Sequence, residues 1–192
     1  EFDDITCTTV LLTDDIASAP PDEHQKRRGV AGMVYAFKIA GAAAEEGRDL
    51  EAVTAIAQKA ADSCRSIGVA LSSCTVPQAG KPTFEIADDE IEMGMGIHGE
   101  PGIWRGKLRT ADEIATEMME RLLTDMPLAG GDRVSIMVNS LGATPPEELY
   151  ILYNKVKAAL ELTGSKIVMP LVGRYATSME MAGVSFTLCK LD

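Results

Sequence analysis

Four helices mark their own ends in this sequence, and that punctuation constrains the fold more than any other feature. Thr110-Ala111-Asp112-Glu113 is a capping box, with Thr as N-cap and Glu three residues on, and it opens a helix to about Thr124. Thr144-Pro145-Pro146-Glu147 reads as a second capping box with proline at the first helical position, opening a helix to about Leu162 that Gly164 ends. Asp49 is the expected N-cap of a helix from Leu50 to about Cys64. Before it, Val30, Val34, Phe37 and Ala40/Gly41 share one face of a helix from about Gly29 to Glu46, with Gly47 placed to stop it. The segments left between are short and β-rich: Ile5–Leu12, Ile67–Leu71 continuing to Thr75, Phe84–Ile86, Glu90–Gly94, Val134–Val138, Ile167–Val172 and Val184–Leu188. Glu90–Gly94 alternates polar and apolar residues, as a half-exposed strand does. Several strands follow one another with no helix between, so the expected class is α/β with a mixed β-sheet flanked by helices.

At 192 residues the chain suffices for one good-sized domain, or one domain and a fragment of another. The abundance of Ala, Gly and Met suits close helix–sheet packing. A formal charge of −11 argues against nucleic acid or an anionic membrane as partner, since both call for a basic surface. No apolar run is long enough to span a bilayer, and no signal peptide is evident. The cysteines Cys7, Cys64, Cys74 and Cys189 follow no metal-binding or redox spacing; they read as free thiols of a reducing compartment, which makes the expected location cytoplasmic. Arg27-Arg28 reads as a surface or interface patch rather than a phosphate clamp. A single strand at Ile5–Leu12 feeding a helix pair would lack sheet neighbours, so the chain is expected to be the C-terminal part of a longer protein.

Chemistry concentrates in Gly94-Met95-Gly96-Ile97-His98-Gly99-Glu100-Pro101-Gly102. Four glycines in nine residues carry a large entropic cost of ordering, which is met where backbone must approach something closely. Glycine beside His98 leaves the imidazole little shielded, and Glu100-Pro101 stiffens the exit. Such a histidine can be a metal ligand, a general base, a nucleophile or simply a turn residue. The only other histidine, His24, sits in a hydrophilic loop, and no carboxylate at ligand spacing accompanies His98, so a metal site is disfavoured. No G-x-S-x-G nucleophile elbow and no phosphate-binding P-loop occur. The glycines do fit G-x-G-x-x-G, but Pro101 and Gly102 follow too soon for a helix N-terminus to meet a phosphate.

The string M-G-M-G-I-H-G-E-P-G closely resembles the substrate-binding histidine segment of the dihydroxyacetone kinase family, in its dihydroxyacetone-binding (K-type) module. R-R-G-V-A-G (Arg27–Gly32), G-A-A-A-E-E-G (Gly41–Gly47), S-I-G-V-A-L-S-S-C-T-V-P (Ser66–Pro77) and G-K-P-T-F (Gly80–Phe84) agree in the same order. So do G-D-R-V (Gly131–Val134), V-N-S-L-G-A-T-P (Val138–Pro145) and the tail Y-A-T-S-M-E-M-A-G-V-S-F-T-L (Tyr175–Leu188). The resemblance thus covers essentially the whole chain.

The resemblance implies that a ring nitrogen of His98 adds to the ketone carbon of dihydroxyacetone, giving a covalent hemiaminal. A neutral imidazole is a competent nucleophile near pH 7, and a carbonyl adduct separates a short ketose from glycerol. The adduct holds the substrate while a terminal hydroxyl receives a phosphoryl group, giving dihydroxyacetone phosphate. Gly96 and Gly99 would let the ketone approach the ring; Glu100 and Asn139 are possible supporting residues, with a structural role expected for Asn139. Ser140 stands where family members often carry another Asn. No metal is expected in this chain. ATP or ADP with Mg2+ would sit on a separate or fused nucleotide-binding L-type module, and a homodimer is expected. Residues 1–65 would close an N-terminal α/β domain, and residues 66–192 would form the substrate-capture domain. The family's G-G-G-S-G-H-E-P-type segment, with a downstream aspartate thought to move protons, has no match here; His24 lies in P-D-E-H-Q-K. The chain alone is therefore expected to be inactive. A kinase for erythrulose and a non-catalytic ketose-binding regulator are the alternatives.

Overall fold

The computed structural model describes residues 4–97 and 99–192. In chain order, helices α1 (Met33–Glu45) and α2 (Leu50–Asp62) precede strands β1 (Cys64–Ala70), β2 (Glu90–Met93) and β3 (Trp104–Lys107). Then come α3 (Ala111–Asp125), β4 (Arg133–Ser140), α4 (Pro146–Leu162), β5 (Lys166–Gly173) and β6 (Gly183–Leu191). The six strands form one sheet in the order β3-β2-β1-β6-β4-β5. Only β4 and β5 run parallel, so the sheet is mixed, as the sequence predicts.

Side-chain alternation gives the two faces different characters. Ile67 and Val69 of β1, Val134, Ile136 and Val138 of β4, and Val184, Phe186 and Leu188 of β6 pack with α3 and α4 in one large core. From α3 this core takes Ile114, Ala115, Met118, Met119 and Leu122, and from α4 Leu149, Leu152, Val156 and Leu160, the i, i+4 rows of two amphipathic helices. Burying each large apolar side chain contributes about 1.5–3 kcal/mol. The opposite face is smaller and more polar. Ser66, Ser135, Asn139, Ser185 and Thr187 are all buried there. Tyr35 of α1 packs on it beside Cys64, Met137 and Cys189, and its hydroxyl meets Ser135 Oγ at 2.8 Å.

Several sequence expectations hold in atomic detail. Thr110 Oγ1 accepts from Glu113 N at 3.3 Å while Glu113 Oε2 accepts from Thr110 N at 2.9 Å, the reciprocal bonds of a capping box. Asp49 Oδ1 accepts from Ala52 N, and Gly47 and Gly164 take the positive φ values of 77° and 73° that end α1 and α4.

Others are corrected. Among the described residues Ile5–Leu12 joins no strand ladder, and Ile5 and Leu11 are exposed; the first bridge is Asp15 to Ser66. β-Branched side chains favour extension, but a strand also needs a partner edge, and this segment lies along none. Phe84–Ile86 forms no strand either, whereas Trp104–Lys107, unforeseen, pairs with β2. Helix α1 begins at Met33 rather than Gly29, because the backbone amides of Val30 and Gly32 turn inward to the buried carboxylate of Asp14. α2 stops at Asp62, two residues short, since Cys64 already pairs with Cys189 in the sheet. The second capping box does not form. Thr144 Oγ1 accepts from Gly183 N and donates to Gly183 O, so Pro145 becomes the N-cap without a side-chain bond. Finally, Arg27 is no surface residue. Its guanidinium is buried and forked onto Asp125 at the end of α3, which Arg65 of β1 also holds at 2.6 Å.

Candidate functional site

Strand β2 delivers the chain into the Gly94–Gly102 segment at the end of the sheet, and β3 takes it away again. The glycines there fall into distinct roles. Gly94 has φ +80°, its N–H donates to Gly68 O at 2.6 Å, and a Cβ would lie 2.7 Å from that of Ala17. At Gly102 a Cβ would stand 2.2 Å from Met93 O, so no side chain fits there. Between them, Gly96 N donates to Glu100 O and Gly99 N to Gly96 O, each at 3.1 Å, which folds the segment on itself. Met95 and Ile97 anchor it in a small apolar cluster with Ala70, Cys74, Leu141, Met181 and Phe84.

His98 lies outside the described residues; the other expected site residues lie within them. The space a Cβ would take on Gly96 holds the Glu100 carboxylate, 2.2 Å away, and Arg28 Nη1 at 2.8 Å. The corresponding direction on Gly99, whose φ is +87°, faces Thr83 and Phe84. Gly96, Gly99 and Glu100 are thus brought together on one loop. Asn139 is not on it. Across the sheet Gly68 pairs with Ser185 and Ser185 with Asn139, about 10 Å away at the usual strand spacing. The Asn139 amide donates to Ala176 O and Ser185 Oγ and accepts from Tyr175 N and Ala176 N, which fastens the β5–β6 connection.

Three charged residues at the loop were not among the expected site residues: Glu92, Asp15 and Arg28, the last read from sequence as part of a surface or interface patch. Glu92, expected on the solvent side of a half-exposed strand, is buried: one carboxylate oxygen takes Gly102 N at 2.7 Å and the other takes Arg105 of β3. It closes the loop's exit. Asp15 is also buried and accepts from Arg28 Nε at 2.8 Å and from Ala17 N at 3.0 Å. Burial pushes its carboxyl up to about 6, and the Arg28 charge opposes this without cancelling it. Arg28 reaches onward to Gly94 O at 3.3 Å and to Glu100 Oε2 at 3.9 Å. An arginine adjacent to another arginine gives no sequence signal that one is sealed against Asp125 and the other is paired with the buried Asp15.

A protein-family model described as the Dak1 domain matches residues 1–192. This chain belongs to the Dak1 family. Among curated Dak1 relatives, the PTS-dependent dihydroxyacetone kinase 1, dihydroxyacetone-binding subunit DhaK, of Listeria innocua is 46% identical over 192 residues, which are 100% of this chain and 58% of that protein. The L-erythrulose kinase of Pectobacterium atrosepticum is also 46% identical over 192 residues, covering 98% of this chain and 32% of that one. Among solved structures, the dihydroxyacetone kinase operon co-activator DhaQ superposes with a TM-score of 0.86 at 34% identity, over 94% of this chain and 56% of its own. This Dak1 chain therefore spans a little over half the length of that DhaK subunit. Among the described residues of the Dak1 fold, no helix is long and apolar enough to cross a membrane.

Proposed function

We propose that this chain is the C-terminal portion of the substrate-binding subunit of a dihydroxyacetone kinase, and that His98 captures dihydroxyacetone as a hemiaminal. One observation carries the reading: at 46% identity over all 192 residues to a dihydroxyacetone-binding subunit, the chain presents G-M-G-I-H-G-E-P-G as a glycine-shaped loop at a sheet end. In this reading residues 1–65 close an N-terminal α/β domain and residues 66–192 carry the capture site. The unprotonated imidazole nitrogen attacks the ketone carbon, the carbonyl π bond opens and its oxygen takes a proton, and the other ring nitrogen gives up its proton to leave a neutral hemiaminal. The adduct fixes the terminal hydroxyl for phosphoryl transfer on a nucleotide-bearing partner module, from ATP with Mg2+ or from a phosphotransferase relay through bound ADP with Mg2+. The remaining acid–base groups belong to the part of the subunit upstream of this chain, and the full assembly is a cytoplasmic homodimer.

The erythrulose kinase at the same identity favours a second reading, in which the same capture serves a four-carbon ketose. The co-activator sharing the fold favours a third, ketose binding without phosphorylation. The test is carbon NMR of the full-length subunit with dihydroxyacetone labelled at the carbonyl carbon. The ketone resonance should convert to that of a tetrahedral carbon in the wild type and remain a ketone in His98→Ala with an unchanged melting temperature. Persistence of the ketone signal in a saturated wild-type complex would exclude covalent capture. Erythrulose in place of dihydroxyacetone, and formation of the ketose phosphate with the partner module and its phosphoryl donor added, separate the three readings.

A further inference from the structure

We propose that Arg28 is a positioning residue for the capture loop, a strut whose removal loosens Gly94–Gly102 and weakens ketose capture while the domain stays folded. The consequence for capture rests on the reading above; the strut itself rests on geometry alone.

Arg28 is held firmly at its base. Its backbone N–H donates to Ser18 Oγ at 2.9 Å, and its carbonyl accepts from Asp15 N at 3.1 Å. Ser18 Oγ in turn donates to Asp15 O at 2.8 Å, so the Asp15–Ser18 turn and Arg28 form one braced unit. That unit is tied to the sheet, because Ile16 N donates to Ser66 O and Ser66 N to Asp14 O. A guanidinium is planar and its donors point in fixed directions, so fixing one edge fixes the others. Here the Asp15 carboxylate fixes Nε and Nη2, which leaves Nη2 aimed at Gly94 O, the hinge entering the loop, and Nη1 at Glu100, near its exit. One side chain from outside the loop thus touches it at both ends.

Gly96 supports the same conclusion. It lies under the Arg28–Glu100 contact, and a Cβ there would stand 2.8 Å from Nη1 and 2.2 Å from the carboxylate. The glycine leaves room for the pair to pass over the backbone. The pair is a weak source of stability, since Arg28 and Glu100 are both partly exposed at a separation of 3.9 Å. Its contribution is to limit where Gly96, Gly99 and Glu100 can sit. A nucleophile displaced by an ångström loses up to about a hundredfold in a positioned reaction.

The test uses the full-length subunit with Arg28→Met, Arg28→Lys and the double variant Asp15→Asn/Arg28→Met, which avoids stranding a buried carboxylate should the single variant fold poorly. Two readouts are needed. Hydrogen exchange of the ligand-free protein reports the strut: the amides of Gly96 and Gly99 should exchange faster in all three variants, while β4 and β6 remain as protected as in the wild type. Titration with carbonyl-labelled dihydroxyacetone reports the consequence: the tetrahedral signal should need roughly ten- to a hundredfold more ketose. Lysine keeps the charge but cannot hold Asp15, Gly94 O and Glu100 together, so it should preserve the melting temperature without restoring capture. Unchanged loop exchange in the double variant would overturn the proposal, as would loosened exchange with wild-type capture. A wild type that forms no tetrahedral adduct while the variants still loosen the loop would instead defeat the capture reading and leave the strut standing.

Discussion

Replacing Asp15 with Asn should raise the stability of the protein relative to the wild type as pH rises from mild acid to neutral. Asp15 is 3% exposed, and the charged groups beside it are Arg28, which favours its ionised form, and Asp14, which opposes it. Burial dominates, so the carboxyl rises from an ordinary 3.8 to about 6. Because the folded state binds this proton more tightly than the unfolded chain, the contribution to stability is fully present below pH 4. It declines as pH rises through the window from about 4 to about 6, and is gone above it. Carrying the carboxylate ionised at pH 7 therefore costs roughly 3 kcal/mol. Asparagine has the shape of the acid without the ionisation; it loses one of the two oxygens that accept from Ala17 N and Arg28 Nε, a cost that is the same at every pH and leaves the pH dependence of the difference untouched. Urea unfolding followed by the fluorescence of Trp104, the single tryptophan, gives stability across pH 4 to 7.5 for both proteins. Subtracting one curve from the other removes the remaining carboxylates, many of which, like Asp125, titrate in the opposite sense. The difference should move by about 3 kcal/mol in favour of Asp15→Asn between pH 4 and pH 7. A flat difference, or one that favours the wild type increasingly with pH, would show that the Arg28 charge outweighs burial and would refute the argument.

The buried tie at the other end of the same segment should behave in the contrary way. Burial opposes the charge of Asp125, but hydrogen bonds from Arg27 and Arg65 outweigh it and hold the carboxyl below its usual range. Asp125→Ala strands the Arg27 guanidinium in the interior and should cost about 3–5 kcal/mol in urea unfolding; a loss under about 1 kcal/mol would mean that Arg27 reaches water. Two glycines give a paired contrast readable as shifts in melting temperature. Gly102→Ala drives a methyl into Met93 O and should destabilise by about 1–3 kcal/mol, whereas Gly41→Ala, in an open helical position of α1, should stabilise by about 0.5–1 kcal/mol. Equal shifts for both would contradict the packing described at Gly102.

The elements legible in advance were those whose signals are local. Thr110 and Glu113 are three residues apart, so their capping box needs nothing from elsewhere in the chain. Thr144 and Glu147 show the limit of the same rule. The hydroxyl of Thr144 found both backbone groups of Gly183, thirty-nine residues away, and left the helix start uncapped by a side chain. β3 was missed because W-R-G-K has neither an apolar run nor a clean alternation; it is a strand because Glu92 and Arg105 meet across the ladder. Ile5–Leu12 erred in the other direction, since strand-forming residues cannot make a strand without an edge to pair with.

The same division runs through the candidate site. Local chemistry determined that a glycine-rich loop with a histidine follows a short strand, and the order of motifs along the chain determined the family. Tertiary structure decided which glycines are obligatory, because only folding brings Met93 O against Gly102 and the Glu100 carboxylate over Gly96. It also decided the fate of the charges. Arg27 and Arg28 are neighbours in sequence, yet one is sealed against α3 and the other braces the loop, since successive residues of extended chain point in opposite directions. Propensity and capping act over a few residues and can be read from them. Burial and ion pairing depend on surfaces that do not exist until the sheet has formed, and those set the shape of the loop that carries His98.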